Sequence, residues 1–212
     1  MKVIFATGNR GKLEQVQHLV KVRGYDWEII SEDDVGFDVD VEETGTTFEE
    51  NSKIKAMALQ EYCLKNNIEH DLIIADDAGL CVDILNGEPG VYSARWAGEN
   101  KTNPEKLDFL LNKLKDYPDP KDRTAKFVSV ITGVFPDGKV IQSRGELPGT
   151  IAPQYNVIVK LTYEPVFIPE GFEKPIGEMT EEEFSNVVNH RERAIQGLLK
   201  QLNKDKEEDL EK

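Results

Sequence analysis

The strongest constraint on the fold is an order that repeats in the first half of the chain: a short apolar run, a polar turn and then a helical pattern. The run KVIFA at 2–6 predicts a buried strand, and the turn after it leads into a helix predicted over about 12–22. The run LIIA at 72–75 predicts a further buried strand, which we expect to end at Asp76-Asp77-Ala78-Gly79. Strands that alternate with helices in this way are typical of α/β folds.

Capping residues predict where three more helices begin. A Thr-x-x-Glu capping box at 47–50 precedes a long helix that we expect to continue to about 65. A second box at 180–183 predicts that the last helix begins there and runs to about 202. Asn103 is expected to cap a third helix, with Pro104 at its first position.

The second half of the chain also contains a predicted hairpin. Two apolar segments, 125–135 and 139–145, flank the turn Pro136-Asp137-Gly138, and a further strand is expected near 163–168. Together with the early strands, this pattern predicts an α/β fold with a mixed central sheet, in which the hairpin builds a second lobe.

Length and charge narrow the functions that this chain can have. Its 212 residues suit a single domain, which we expect over 1–203, followed by a charged tail at 204–212 that is disordered or a frayed helix end. The net charge of −14 would repel nucleic acid, and also a free nucleotide unless local cations or a metal reverse the sign. No apolar run reaches the roughly 18 residues of a membrane span, and the N-terminus lacks a signal-peptide pattern. We therefore expect a cytoplasmic protein that binds neither membranes nor nucleic acid.

Thr7, Gly8, Asn9 and Lys12 lie in the turn between the first strand and its helix. The start of a helix presents backbone N–H groups that attract an anion, and the Thr, Asn and Lys side chains add donors. The segment therefore predicts a phosphate-binding turn, although it lacks the GxxxxGK[ST] spacing of a Walker A loop. An ordinary strand-to-helix turn is the alternative.

Asp76 and Asp77 are adjacent carboxylates at the expected end of a buried strand, where α/β sheets bind their ligands. Neighbouring carboxylates repel each other unless a cation or a proton joins them, and their oxygens suit Mg²⁺. A carboxylate that is left over can orient or deprotonate water. An acidic turn without a function is the alternative.

Glu43 and Lys55 flank the start of the long helix. A carboxylate and an ammonium group at this position would suit a metal ion and a phosphate. As an isolated pair, they are equally well explained as surface charges.

His190 and Arg191 are expected within the last helix. Helical spacing places Arg191 on the apolar face of that helix and His190 off its centre. The apolar face consists of Phe184, Val187, Val188, Ile195, Leu198 and Leu199. An arginine on such a face requires an anionic partner, which is either a substrate group or a structural carboxylate.

Together these motifs resemble the inosine triphosphate pyrophosphatase family, which removes non-canonical purine nucleotides such as ITP, XTP and dITP. The matching segments follow the order of the family and cover nearly the whole chain up to about 203. They are ATGNRGK (6–12), VEETGTTFEENSKIKA (41–56), IADDAGLCVD (74–83), LNGEPGVYSARWAG (85–98), YEPVFIP (163–169) and HRERA (190–194).

The resemblance implies a fold and a reaction. The expected fold is an elongated, two-lobed α/β protein with a mixed central sheet and an active-site cleft between the lobes, usually in a homodimer. The expected reaction is hydrolysis of a nucleoside triphosphate to the monophosphate and pyrophosphate, with Mg²⁺ as cofactor or Mn²⁺ in its place.

The resemblance also implies roles for individual residues. Glu43 and Asp77 would hold the metal. Asp77 would be the general base with Asp76 close by, and Lys55 would contact the triphosphate. The residues implied to bind the substrate are Thr7, Gly8, Asn9, Arg10, Gly11, Lys12, Ala78, Arg95, Leu161, Thr162, Tyr163, Glu164, Phe184, His190 and Arg191.

The departures from the family pattern are concentrated where the base is expected to bind. The family sequence Phe-Gly-Tyr-Asp-Pro is Leu-Thr-Tyr-Glu-Pro at 161–165, which removes an aromatic face at Leu161 and lengthens the acceptor at Glu164. Phe184 replaces a lysine and Asn189 a serine, and near the metal Ala78 replaces a serine. We therefore expect retained hydrolysis with altered or relaxed base selectivity.

A nucleotide-binding protein with weak turnover or none is the alternative from another functional class. The three carboxylates at Glu43, Asp76 and Asp77 argue against it, because a protein that only binds a polyanion gains little from carboxylates that face phosphate.

Overall fold

The computed structural model describes residues 1–157 and 162–210, with side chains through Lys204. Short 3₁₀ turns connect several of its elements. The strands are β1 (Lys2–Ala6), β2 (Glu28–Ser31), β3 (Leu72–Val82), β4 (Thr124–Val134), β5 (Val140–Ile151) and β6 (Phe167–Pro169). The α-helices are α1 (Arg10–Val22), α2 (Phe48–Lys65), α3 (Asn103–Lys113), α4 (Glu181–Ser185) and α5 (His190–Leu210).

The strands of this part of the chain form one mixed sheet in the order β2-β1-β3-β4-β5-β6. β1 is parallel to both of its neighbours, and its Ile4 pairs with Ile30 of β2 on one side and with Ile73 of β3 on the other. β5 and β6 are antiparallel. A short turn connects β4 to β5, and Gly138 adopts a φ of 87° there, which glycine tolerates without strain. The predicted α/β fold with a mixed sheet and a hairpin is confirmed.

The chain divides into two compact units. Unit 1 contains Met1–Asp77, Ser129–Gly145 and Arg191–Lys212, and unit 2 contains Ala78–Val128 and Glu146–His190. β3, β4 and β5 each contribute residues to both units.

In unit 1, alternate side chains of β1 and β3 pack against helices on opposite faces of the sheet. Phe5 and Ile74 belong to an apolar cluster with α1 and α5, whose members include Val16 and Leu198. The alternate residues of the two strands, Ile4 and Ala6 on β1 and Ile73 and Ala75 on β3, face the other side of the sheet. They belong to a second cluster, which also contains Ala56, Leu59 and Cys63 of α2. This alternation follows from the two-residue period of a strand, and it also decides where the polar residues that follow in β3 lie.

Unit 2 has a core of its own, formed by Leu80 and Val82 of β3 together with the buried face of α3. Arg123 is buried in this unit, and its guanidinium donates to the carbonyls of Ile151 and Ala152 at 2.7 and 2.9 Å. It also donates to the carbonyls of Leu114 and Tyr117, so that backbone acceptors satisfy a cation with four hydrogen bonds.

The C-terminal part of the chain differs from the prediction of one helix from 180 to about 202. The capping box at Thr180 and Glu183 opens only the short helix α4, which ends at Ser185 with Asn186 as its C-cap. α5 begins separately at His190 and continues to Leu210, into the segment predicted as a tail. The apolar stripe predicted to join Phe184 with Arg191 on one helix is therefore wrong.

Three further boundaries are corrected. β3 does not end at Ala75 but continues through both aspartates to Val82, and β6 is shorter than the strand predicted near 163–168. α3 is capped by Thr102 rather than Asn103, in a capping box with Glu105.

The helices of the described residues include none that is long and apolar enough to cross a membrane.

Candidate active site

Asp76 and Asp77 face opposite sides of the sheet because β3 runs through both of them. Ile74 packs toward α1 and α5, and Asp76, two residues later, faces the same side. Ala75 packs toward α2, and Asp77 faces that side. The expectation that both carboxylates join one acidic cluster is therefore wrong, because the strand gives each of them a different environment.

Asp76 is fully engaged by cationic and polar partners. Lys12 Nζ lies 2.9 Å from Oδ2, and Arg191 approaches the same oxygen at 3.0 Å through Nη2. The Ser129 hydroxyl donates to Oδ1 at 2.6 Å, and Gln15 Oε1 accepts from Arg191 at 2.8 Å. Burial alone would raise the pKa of Asp76, but Arg191, Lys12 and Ser129 outweigh it and hold that pKa far below its usual range.

Asp77 has a much poorer set of partners. Its Oδ1 lies 3.7 Å from Lys55 Nζ, and its buried Oδ2 has no formed hydrogen bond among the described residues. Burial raises the pKa of Asp77 to about 6, Lys55 opposes the increase, and the nearby carboxylate of Glu43 adds to it. The amide of Asn51 lowers this pKa, although it does not meet the distance and angle criteria of a formed hydrogen bond.

Lys55 connects the two predicted metal-binding carboxylates. Its ammonium group lies 2.8 Å from Glu43 Oε1 and donates to the backbone carbonyl of Asp76 at 2.8 Å. Glu43 and Asp77 thus share one cation on the α2 face of the sheet. Lys55 neutralises Asp77 incompletely, so the two carboxylates retain negative charge and offer oxygen ligands. A hard divalent cation would therefore fit at this position. Among the described residues, no three His, Cys, Asp or Glu side chains converge on a common point.

The predicted phosphate-binding turn, Thr7 to Lys12, joins β1 to α1 and is largely exposed. The Asn9 side chain caps α1 by accepting from the backbone N–H of Lys12 at 3.2 Å. Thr7 Oγ1 accepts from the backbone N–H of Asn9 at 3.2 Å. The side chains of Thr7 and Asn9 were expected to donate to phosphate, but here both accept backbone hydrogen bonds that stabilise the turn. Gly8, Arg10 and Gly11 are exposed at this helix start, which favours an anion.

Glu32 lies beside this turn and was not predicted from the sequence. A Cβ placed on Gly8 would be 3.9 Å from Glu32 Oε1. Burial and then Asp33 raise the pKa of Glu32, while Lys55 and the backbone of Gly8 lower it. The turn therefore has an anionic neighbour, and its net attraction for phosphate depends on nearby cations.

Several predicted substrate-binding residues belong to unit 2. Ala78 is half-buried on β3, and the exposed Arg95 has its guanidinium carbon 5.3 Å from the centre of the Tyr92 ring. The His190 imidazole stacks on Phe127, with 5.1 Å between ring centroids. Arg191, its neighbour in sequence, belongs to unit 1 and contacts Asp76.

The segment expected to bind the base is only partly described. Leu161 lies outside the described residues. Thr162 donates to Asn103 Oδ1 at 2.9 Å, and Glu164 is half-buried. Tyr163 is buried, its hydroxyl donates to the carbonyl of Ser93 at 3.0 Å, and burial raises its pKa to about 12. Tyr163 therefore stabilises unit 2 through its side chain.

Phe184 lies on α4 with 37% of its surface exposed. It does not extend an apolar core, as the helical spacing had suggested. An exposed aromatic side chain at this position can make a contact with a ligand that a buried one cannot.

Three functional candidates were missed in the sequence: Asn51, Ser129 and Gln15. Asn51 precedes Lys55 by four residues, a spacing that places both on one face of α2. Ser129 is a polar residue within the apolar strand β4, which is a signal for a buried hydrogen bond. Gln15 on α1 has no signal of its own, because its partner Arg191 lies 176 positions away.

Comparison with known proteins agrees with the motifs over almost the whole chain. The Ham1 family matches residues 3–201. A dITP/XTP pyrophosphatase from Clostridium perfringens is 38% identical over 197 residues, covering 93% of this chain and 95% of the relative. The dITP/XTP pyrophosphatase of Thermoanaerobacter pseudethanolicus is 41% identical over 198 residues, covering 93% and 94%.

Solved structures show the same agreement. The Ham1 protein of Staphylococcus aureus superimposes with a TM-score of 0.82 at 35% identity, covering 97% of this chain and 100% of that one. A HAM1 protein from Coxiella burnetii also gives a TM-score of 0.82, at 30% identity, with 96% and 99% covered.

Proposed function

Since the chain belongs to the Ham1 family, we propose that it hydrolyses non-canonical purine nucleoside triphosphates (ITP, dITP and XTP) to the monophosphate and pyrophosphate. Water is the nucleophile and the α-phosphorus is the atom attacked, so pyrophosphate is the leaving group. The enzyme is thus a hydrolase that acts on an acid anhydride.

The observation that carries this proposal is the environment of Asp77. Its carboxyl is buried, one of its oxygens has no formed hydrogen bond among the described residues, and its pKa is raised to about 6. A general base is most effective when its pKa lies near the working pH. Asp77 would therefore orient the attacking water and accept its proton.

Asp76, which the resemblance places close to the general base as a further catalytic residue, would not share this role. Lys12, Arg191 and Ser129 already occupy its oxygens, and its lowered pKa makes it a very weak base. We assign it the role of holding the side chain of Lys12 within the phosphate-binding turn and that of Arg191 at the start of α5.

Glu43 and Asp77 are the residues that would hold a divalent cation, Mg²⁺ or Mn²⁺. When bound, such a cation neutralises charge on the triphosphate and polarises the phosphorus that is attacked. Lys55, which now lies between the two carboxylates, would contact the triphosphate, and the exposed start of α1 at 7–12 would bind a phosphate group.

A substrate panel with product identification tests the proposal. ITP, XTP, dITP, GTP, ATP and UTP are incubated with the protein, and products are followed by ³¹P NMR. We expect monophosphate and pyrophosphate from ITP, dITP and XTP with Mg²⁺ present, and no turnover in EDTA. Release of inorganic phosphate with a diphosphate product would show another reaction. Binding without turnover would favour the nucleotide-binding alternative, and full activity in EDTA would exclude a metal.

Relaxed base selectivity is a second candidate property, favoured by Phe184 in place of a family lysine and by Leu161 in place of a family phenylalanine. A pocket without the lysine donor distinguishes one base from another only by apolar contacts, which are worth about 1–3 kcal/mol of discrimination between substrates. We expect a ratio of kcat/KM for ITP over GTP of about 10–200, and we expect Phe184→Lys combined with Leu161→Phe to increase it. A wild-type ratio near 10,000, typical of a site that hydrogen-bonds its substrate, would contradict this.

The family resemblance further suggests a homodimer that acts in the cytoplasm. Light scattering coupled to gel filtration tests the assembly, since a mass near 24.0 kDa would show a monomer and twice that mass a dimer.

A further inference from the structure

Asn51 is a fully buried polar side chain in the second turn of α2. Because it precedes Lys55 by four residues, the two side chains lie on the same face of the helix, the face that contacts Asp77. A buried amide reduces stability unless its oxygen and nitrogen find partners. The contacts of its two ends therefore indicate what it does.

The oxygen end of Asn51 fixes the loop that carries Glu43. Its Oδ1 accepts from the backbone N–H of Gly45 at 2.8 Å. A Cβ at Gly45 would lie 2.6 Å from that same oxygen, so glycine allows the close approach. The neighbouring N–H of Thr46 donates to Glu50 Oε2 at 2.6 Å, so the loop is attached to α2 at two successive residues.

The side chain of Asn51 also interacts with the carboxylate of Asp77, and because its oxygen accepts from Gly45, the nitrogen is the end that can donate to that carboxylate. Among the described residues neither Asn51 Nδ2 nor Asp77 Oδ2 has a formed hydrogen bond, although both atoms are buried. Buried polar atoms without partners are rare in native proteins, and a catalytic role or a bound ion is among the explanations for them. Here one atom is a donor and the other an acceptor, and they belong to two side chains that interact with each other.

We propose that Asn51 is a positioning residue that sets the separation of Glu43 and Asp77. It holds the loop of Glu43 through its bond to Gly45, and it orients Asp77 through the Asn51 side-chain amide. This inference rests on the function proposed above and adds a residue to that site. Residues that orient metal-binding side chains commonly contribute about 10–100-fold to metal affinity. Asn51 contributes by this route and does not itself touch the substrate.

Three variants and a matched control separate the two ends of the side chain. Asn51→Leu removes both ends at similar volume, and Asn51→Asp retains only the acceptor for Gly45. Gly45→Ala displaces the loop through the predicted clash but leaves the amide in place. Ser52→Ala is the control, because Ser52 is buried in the same helical turn and bonds instead to Thr132 Oγ1 at 2.7 Å and the carbonyl of Glu49.

The measurements are Mn²⁺ affinity by water-proton relaxation without nucleotide, hydrogen exchange of the Gly45 amide, and thermal unfolding as a check on folding. We expect Asn51→Leu to lower Mn²⁺ affinity by about 10–100-fold and to accelerate exchange at Gly45. Asn51→Asp should keep the Gly45 amide protected. Gly45→Ala should weaken Mn²⁺ binding even if Asn51→Leu fails to fold, and Ser52→Ala should leave Mn²⁺ affinity within about twofold while lowering stability.

Folded Asn51→Leu or Gly45→Ala protein with wild-type Mn²⁺ affinity would overturn the inference, as would unchanged protection of Gly45 in Asn51→Leu. If wild-type protein hydrolyses ITP with Mg²⁺ while these variants keep their Mn²⁺ affinity, only the role of Asn51 fails. A wild-type protein that binds no Mn²⁺ would overturn both this inference and the proposed metal site.

Discussion

Asp76 and Asp77 are neighbours in sequence, yet they lie in opposite electrostatic environments on the two faces of β3. Asp76 has two cations and a hydroxyl within 3.1 Å, and its pKa is held far below its usual range. Asp77 has one cation at 3.7 Å, and burial raises its pKa to about 6. The difference separates a carboxylate that stabilises the fold from one that remains available for chemistry.

The comparison also shows how a strand can serve two functions at one point in the chain. A buried carboxylate without adequate partners reduces stability, and such residues concentrate at functional sites. Because side chains alternate along a strand, α1, α5 and β4 can supply partners for the carboxylate of Asp76 while that of Asp77 lies on the other face, beside α2.

The largest expected effect comes from removing the available carboxylate. Asp77→Asn should lower kcat by about 100- to 10,000-fold, the range for loss of a general base. Steady-state hydrolysis of ITP with Mg²⁺ measures this, with Glu42→Gln as a control for loss of an exposed carboxylate nearby. Turnover of Asp77→Asn close to that of the wild type would show that the base has been assigned to the wrong residue.

Removing the satisfied carboxylate should affect stability instead. Asp76→Asn leaves Lys12 and Arg191 without their counter-charge, and we expect the free energy of unfolding to fall by about 3 kcal/mol. Urea unfolding measures the change. Glu49→Gln, which breaks the exposed pair with Arg144, is the matched control and should cost less than about 1 kcal/mol. Equal losses in the two variants would remove the distinction between them.

The pH dependence of stability should distinguish the two faces further. Asp77 is harder to ionise in the folded protein, so its charge destabilises the fold above about pH 6 and has no effect below about pH 4, where both states are protonated. Asp77→Asn should therefore be more stable than the wild type by about 3 kcal/mol at pH 7 without divalent metal. Urea unfolding between pH 4 and 8 should show this advantage vanish toward pH 4. An advantage that is independent of pH would argue against the raised pKa.

Much of this site could be predicted from the sequence, because its residues lie in short motifs that also mark the family. The turn at 7–12, the carboxylates Asp76 and Asp77, and the capping box before α2 are local patterns. The structure places the turn between β1 and α1 and the capping box at the start of α2, as predicted, whereas both aspartates lie within β3 instead of after it. The family prediction is confirmed by the match over 3–201.

What the sequence did not show depends on strand length and on distant partners. Ending β3 at Ala75 made Asp76 and Asp77 appear to be one cluster, whereas seven more residues of strand impose alternation. The partners of Asp76 come from α1, β4 and α5, up to 115 positions away, so no local pattern could identify them. The break between α4 and α5 was missed because Val187 and Val188 continue the helical spacing of apolar residues past Asn186.

The two carboxyl groups can be observed directly and together by NMR titration of the ¹³C-labelled aspartate side chains, with Asp76→Asn and Asp77→Asn spectra for assignment and no divalent metal present. The difference between the two faces of β3 predicts that Asp77 titrates near pH 6, while Asp76 stays ionised to the acid limit of the folded protein. Two carboxyl groups that both titrate near pH 4, or an Asp76 that titrates above Asp77, would contradict the assignment of Asp77 as the base and Asp76 as the structural carboxylate.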